Sequence, residues 1–279
     1  MIRCILYLTL ISYYSSFIFA TPLITHKIRQ KRLPLLSWPY ILDLSKYREK
    51  FLSLPVVEFY NLNTRESFKT KLYNQYGKIP QKVLQRFMWL LRDHRHNKIH
   101  PIYPRILKLV YKSAYYFKAK KVVIISGYRY GKKWRWYRGR KRIASRHHWG
   151  KAIDFYIPEV STKRLAIYAR TFGKVGVGYY PKVNFIHLDI RDSSYFWLNR
   201  SGHGKRGWDI PLERYWAEEI DKNLNSEYDL PWVKVDKRFL LMSSNIKVDK
   251  KLIAYKKKRW LRRKKKRKIK RTFTIKTRR

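Results

Sequence analysis

Ser145-Arg146-His147-His148-Trp149-Gly150-Lys151-Ala152-Ile153-Asp154-Phe155-Tyr156-Ile157 runs from a basic, aromatic stretch through a glycine into an apolar segment. Gly150 marks a turn, and Ala152–Ile157 has the composition of a strand. His147 and Asp154 flank that turn with six residues between them. A second histidine, His187, lies in Phe185–Ile190, another run that reads as a strand. Two histidines and an aspartate on neighbouring strands would offer zinc three protein ligands and leave a fourth position for water, which is the arrangement of a catalytic site. Spacing alone does not separate this reading from two core histidines and a strand-end aspartate.

Outward from this stretch, strands and helices alternate irregularly. Val56–Tyr60, the turn Asn61–Thr64 and Ser67–Leu72 form a hairpin candidate. After Pro80, the apolar residues Val83, Leu84, Phe87, Leu90 and Leu91 have helical spacing, and a second helix follows Pro104, with Ile106, Leu107, Leu109, Val110 and Ala114 apolar, and ends before Lys120-Lys121. Val122–Ile125 reads as a buried strand ended by Gly127, and residues 131–143 as a basic exposed loop. Thr162–Phe172 reads as a helix, and Gly176–Tyr180 with Phe185–Ile190 as the last two strands. Strands and helices interspersed, with hairpin-like pairs, predict an α+β fold rather than a doubly wound sheet.

The 66 Lys+Arg residues against 18 Asp+Glu give a net charge of +48, which points to a polyanionic partner: nucleic acid, anionic lipid or an acidic wall polymer. A hydrophobic content of 45% is enough to bury a core, which excludes wholesale disorder. The single cysteine, Cys4, excludes a disulfide framework and a cysteine-based zinc site.

Residues 1–20 read as a secretory signal peptide, with Arg3, an apolar run from Ile5 to Ile18, and Ala20 before Thr21-Pro22. The other reading is an uncleaved amino-terminal anchor. With the signal removed, no stable membrane span is expected. Export disfavours nucleic acid as the partner and favours the cell wall. Residues 21–55 read as a linker, with a short helix around Leu44–Leu52. Residues 56–200 form the main domain, 201–249 a C-terminal extension, and 250–279 a basic disordered tail without any acid.

Five segments in order carry a resemblance: Leu91-Arg92-Asp93, Ser126-Gly127-Tyr128-Arg129, His147 through Asp154, Val177-Gly178-Tyr179-Tyr180-Pro181 and Phe185-Ile186-His187-Leu188-Asp189. They resemble the murein endopeptidase K-like family of the D-Ala-D-Ala carboxypeptidase-type zinc metallopeptidases, relatives of lysostaphin. The resemblance spans roughly Val57 to Trp197. It implies zinc held by His147, Asp154 and His187 at the mouth of a small antiparallel sheet with flanking helices, in a secreted peptidase of the periplasm or cell wall that cleaves peptide bonds in peptidoglycan. Arg129 matches the family arginine that holds substrate carboxylate or stabilises the oxyanion. Many relatives carry Glu three residues before the last zinc histidine, where this chain has Asn184. Asp189 is then the remaining carboxylate, as general base or as a residue that orients a metal ligand. Ser145, Tyr128 and Trp136 are the candidates for substrate contact. His148 is disfavoured as a ligand because neighbours on a strand face opposite ways. Asp93, His94, His96 and His100 look like a metal cluster but follow a helix end, where His and Arg suit the dipole. The competing function is a basic wall- or polyanion-binding protein with an inactive peptidase-like fold. The resemblance leaves open which cross-link is cut and the oligomeric state.

Overall fold

The computed structural model describes residues 44–131, 134–137, 140–143, 145–202, 209–255, 257–258 and 261–262. The expected signal peptide, the expected linker up to residue 43 and residues 263–279 of the expected tail lie outside the described residues. Among the described residues, these strands and α-helices follow in chain order: α1 (Arg48–Leu52), β1 (Val57–Asn61), β2 (Glu66–Thr70), α2 (Gln81–Leu90), α3 (Pro104–Tyr116), β3 (Lys121–Ser126), β4 (Trp134–Tyr137), β5 (Arg140–Ile143), β6 (Ala152–Tyr156), α4 (Thr162–Ala169), β7 (Val175–Tyr180), β8 (Phe185–Ile190), β9 (Tyr195–Asn199), β10 (Asp209–Pro211), α5 (Ala217–Asn223) and α6 (Lys237–Ser244).

The local signals act as expected. Pro104 stands at the first position of α3, where its missing N–H costs nothing. Asn61 closes the β1–β2 turn: its Oδ1 accepts from the backbone of Asn63 at 2.9 Å and Thr64 at 3.3 Å, while Nδ2 donates to Leu90 O at 2.6 Å.

The sheet corrects the expectation of a small antiparallel one. Eight strands pair in the order β10-β9-β7-β8-β6-β3-β1-β2, and the sheet is mixed. β1 lies parallel to β3 and β7 parallel to β9, while the other neighbours are antiparallel. The hairpin β1–β2 joins the main sheet because the connection through α2 and α3 returns the chain alongside β1, and parallel strands need such a crossover. Phe185–Ile190 is not the last strand, since β9 and β10 extend the sheet. Within residues 131–143, expected as a basic exposed loop, 134–137 and 140–143 pair as a separate two-stranded antiparallel sheet.

Alternation along the strands assigns the two faces. Ile186 and Leu188 of β8, Ile153 and Phe155 of β6, Val175 and Val177 of β7, and Phe196 of β9 enter the core shared with α3 and α4. The intervening residues, Asp154, His187, Asp189 and Trp197 among them, face the other way.

Residues 209–255 are part of the same packed unit. Trp216 stacks on Phe196 at 5.5 Å between ring centroids, and Ile220, Leu230 and Val235 join the core. Arg105 of α3 donates from Nε to Asp229 Oδ2 at 2.8 Å and from Nη2 to Phe172 O and Gly173 O, tying this segment to the domain. Lys112 is fully buried and donates from Nζ to Tyr228 O. The tail does not begin as disorder: residues 250–255 are helical, because Asp249 Oδ1 caps them by accepting from Leu252 N at 2.8 Å. No helix among the described residues is long and apolar enough to cross a membrane.

Candidate metal centre

The β6–β8 register sets Asp154 directly opposite His187. Directly opposed residues on one face are close enough for their side chains to meet. His147 reaches the pair from a 3-10 turn, Arg146–Trp149, rather than from a strand. Ser145 caps that turn, its Oγ accepting from His147 N at 3.3 Å, and Gly150 ends it with φ 64°. A side chain at Gly150 would be strained at that φ, and its Cβ would lie 2.1 Å from Pro101 O.

Three donor atoms converge. His187 Nδ1 is 2.7 Å from Asp154 Oδ1, and His147 Nε2 is 3.2 Å from that oxygen and 3.2 Å from His187 Nδ1. The far side of each ring decides what these atoms are. His147 Nδ1 lies 2.6 Å from Gly127 O, and a carbonyl only accepts, so the proton sits on Nδ1 and Nε2 turns a lone pair inward. His187 Nε2 lies 2.8 Å from Asp189 Oδ2, so the same holds for its Nδ1 once a cation replaces the inner proton. Two nitrogen lone pairs and a carboxylate oxygen pressed together repel unless a cation or a proton lies among them. The donor set, two imidazoles and a carboxylate with their outer nitrogens anchored, fits zinc. Among the described residues this is the group of His, Cys, Asp and Glu with metal-binding geometry.

Titration follows the same contacts. Burial pushes His147 down. Burial opposes charge on His187 as well, yet its hydrogen bonds to Asp154 and Asp189 outweigh that and raise it to about 9. Without a metal, His187 therefore holds a proton between two carboxylates, and metal binding must displace it. Burial disfavours ionised Asp189, but bonds from His187 and Arg191 win and hold it at about 2.

Arg129 stands at the rim, with its side chain 47% exposed. Its Nη2 donates to Asp154 Oδ2, the oxygen turned away from His187 Nδ1, and its Nε donates to Ser126 Oγ at 2.8 Å. Tyr128 is 7% exposed, stacks on His100 at 4.7 Å and donates its backbone N–H to Leu91 O at 2.7 Å, so it packs beneath the loop. Asp93 Oδ2 accepts from Tyr130 N at 3.1 Å, so the first and second sequence elements clasp each other around Arg129. Ser145 shapes the turn under His147. Trp136 lies on β4, and its side chain is outside the described residues. His148 turns aside, its Nδ1 2.5 Å from Arg129 O. His96 pairs with Asp93 at 2.8 Å, and the histidines around it do not gather into a metal site among the described residues.

Asp189 lies on the side of His187 away from the three donors and is 1% exposed. Arg191 holds it from Nε at 2.6 Å and Nη2 at 2.7 Å, and Arg146 Nε is 3.2 Å away. The sequence alone assigns these arginines no role. Nor does it assign one to Trp197, whose ring lies 5.2 Å from that of His187 and whose Nε1 donates to Tyr180 OH at 3.1 Å. The signal for Trp197 is Gly178, opposite it in the sheet, where a Cβ would lie 2.4 Å from the indole.

Among proteins of known function, the chain is 33% identical over 159 residues to peptidoglycan L,D-endopeptidase MepK of Escherichia coli, covering 56% of this chain and 84% of that protein. The Shigella flexneri protein of that name matches to the same extent. A Haemophilus influenzae relative is 30% identical over 139 residues, 48% of this chain and 74% of its own length. No solved structure matches. The family model described as peptidoglycan L,D-endopeptidase MepK matches residues 53–194, and the chain belongs to that family.

Proposed function

We propose that this chain is an exported zinc peptidase that hydrolyses peptide cross-links in peptidoglycan, with the L,D-bond named for its relatives as the expected target. The supporting observation is the convergence of His147 Nε2, Asp154 Oδ1 and His187 Nδ1, with lone pairs directed at one point, in a member of this family. A zinc held by these three residues supplies Lewis acidity, which polarises a carbonyl and acidifies water.

The other groups act around that centre. Arg129 keeps one guanidinium nitrogen on Asp154 and stands half-exposed at the rim, where a cation stabilises charge developing on a scissile carbonyl oxygen. Asp189 has both oxygens engaged and faces away from the open side, so of the two roles that its sequence position allows, the geometry favours holding His187 in orientation over proton transfer. Residues 1–20 direct export, and the +48 charge concentrates the enzyme on a wall rich in carboxylates.

Digestion of purified peptidoglycan followed by muropeptide analysis tests the reading. Loss of L,D-linked dimers with the wild-type chain, and none with Asp154→Ala, supports it. An undigested wall that nevertheless retains the protein would instead indicate a binding protein with a silent site.

A further inference from the structure

Three arginines converge behind His187, on the side of the imidazole that faces Asp189. Arg191 and Arg146 both reach Asp189, and Arg214 donates from Nη1 to Ser194 O at 2.7 Å. With Asp192, Ser193 and Tyr195 they line a cavity of about 290 Å³. Asp189 is almost wholly buried beneath the arginines, so solvent meets three guanidiniums and the single exposed carboxylate of Asp192. Beyond the contacts named, Nη1 of Arg191 and Nε and Nη2 of Arg214 have no partner among the described residues. Forked N–H donors around a small polar cavity match the shape and charge of a carboxylate.

The cavity is also rigid and close to the chemistry. The Arg191 guanidinium lies 5.2 Å from the Tyr195 ring and 5.3 Å from the Trp197 ring, which fixes it before any ligand arrives. A Cβ at Gly176 would lie 2.2 Å from Arg191 Nε, so β7 leaves room for this side chain only through a glycine. From His187 Nδ1 to the Arg191 guanidinium the path crosses one imidazole ring and two hydrogen bonds, of 2.8 Å and 2.7 Å. Roughly two residues of extended peptide, at about 3.3 Å each, cover that span.

We propose that Arg146, Arg191 and Arg214 form a carboxylate-binding subsite, which takes a free carboxylate of the stem peptide about two residues from the scissile bond. The assignment rests on the peptidase reading and adds to it a group that selects the substrate. Arg214 is the cleanest probe because it does not touch Asp189.

The test uses the full zinc-loaded chain and a soluble, uncross-linked disaccharide–tetrapeptide fragment of peptidoglycan, in its natural form and with its carboxylates converted to carboxamides. Calorimetry reads the affinity of each for wild type and Arg214→Gln, with circular dichroism as the check on folding. Amidation should weaken binding about tenfold in wild type and less than about twofold in Arg214→Gln. Arg214→Lys, which keeps the charge but not the fork, should fall between, and it carries the comparison if the glutamine variant does not fold. An equal amidation penalty in wild type and variant, or no penalty in wild type, overturns the subsite. Failure of wild type to cleave a cross-linked dimer would refute the peptidase reading instead, and the binding comparison would still decide the subsite.

Discussion

His187 Nε2 lies 2.8 Å from Asp189 Oδ2, across the imidazole from the nitrogen that meets Asp154. A carboxylate behind a histidine ligand sets its tautomer and its rotation, and this one is itself gripped by Arg191 and Arg146. Substituting Asp189→Asn keeps the shape but weakens the acceptor. Zinc affinity, measured by competition with a chromophoric chelator, should fall about 10- to 100-fold. Cleavage should recover when zinc is raised, which a lost general base would not allow.

Asp189 also predicts an acid limit. Its folded pKa of about 2 lies below the unfolded value of about 3.9, so its ionised form contributes stability that is full above pH 4 and fades as pH falls toward 2. Melting temperatures of the metal-free chain should drop through that window. In Asp189→Asn the drop should be shallower, with the remainder due to Asp154, which its histidine partners also hold low against the effect of burial.

Gly178 faces Trp197, and an added methyl group would meet the indole at 2.4 Å. Gly178→Ala should destabilise the fold by about 1–3 kcal/mol in denaturant titrations. Pairing it with Trp197→Leu, which makes room, should restore part of that loss.

The ion pair of Arg105 and Asp229 is largely buried, with side-chain exposures of 14% and 9%. Arg105→Ala leaves a carboxylate stranded and should cost about 3–5 kcal/mol. A chain ended after Arg200 should fail to fold cooperatively by calorimetry, since Phe196 would lose its cover from Trp216.

The site was more legible than the sheet around it. Asp154 and His187 could be placed together because each lies in a run that reads as a strand and the motifs recur in one family. The antiparallel register then sets them opposite each other. Asp189 was legible only to its face, since an i, i+2 relation cannot tell which side of the ring a carboxylate takes. The motif position of Tyr128 says nothing of its burial, which comes with stacking on His100. β9 went unread although Asp192-Ser193-Ser194 before the aromatic run Tyr195–Asn199 is a turn followed by a strand; its pairing with β7 is parallel and non-local. Arg146, Arg191 and Arg214 could not be singled out among 66 basic residues until the fold gathered them.

Zinc content is the most direct measure of the central claim. Elemental analysis of the purified chain, dialysed against trace zinc, should give about one zinc per wild-type molecule and almost none for folded His147→Ala or His187→Ala. Stoichiometric zinc in those variants, or a folded wild-type chain that takes up none, would contradict it.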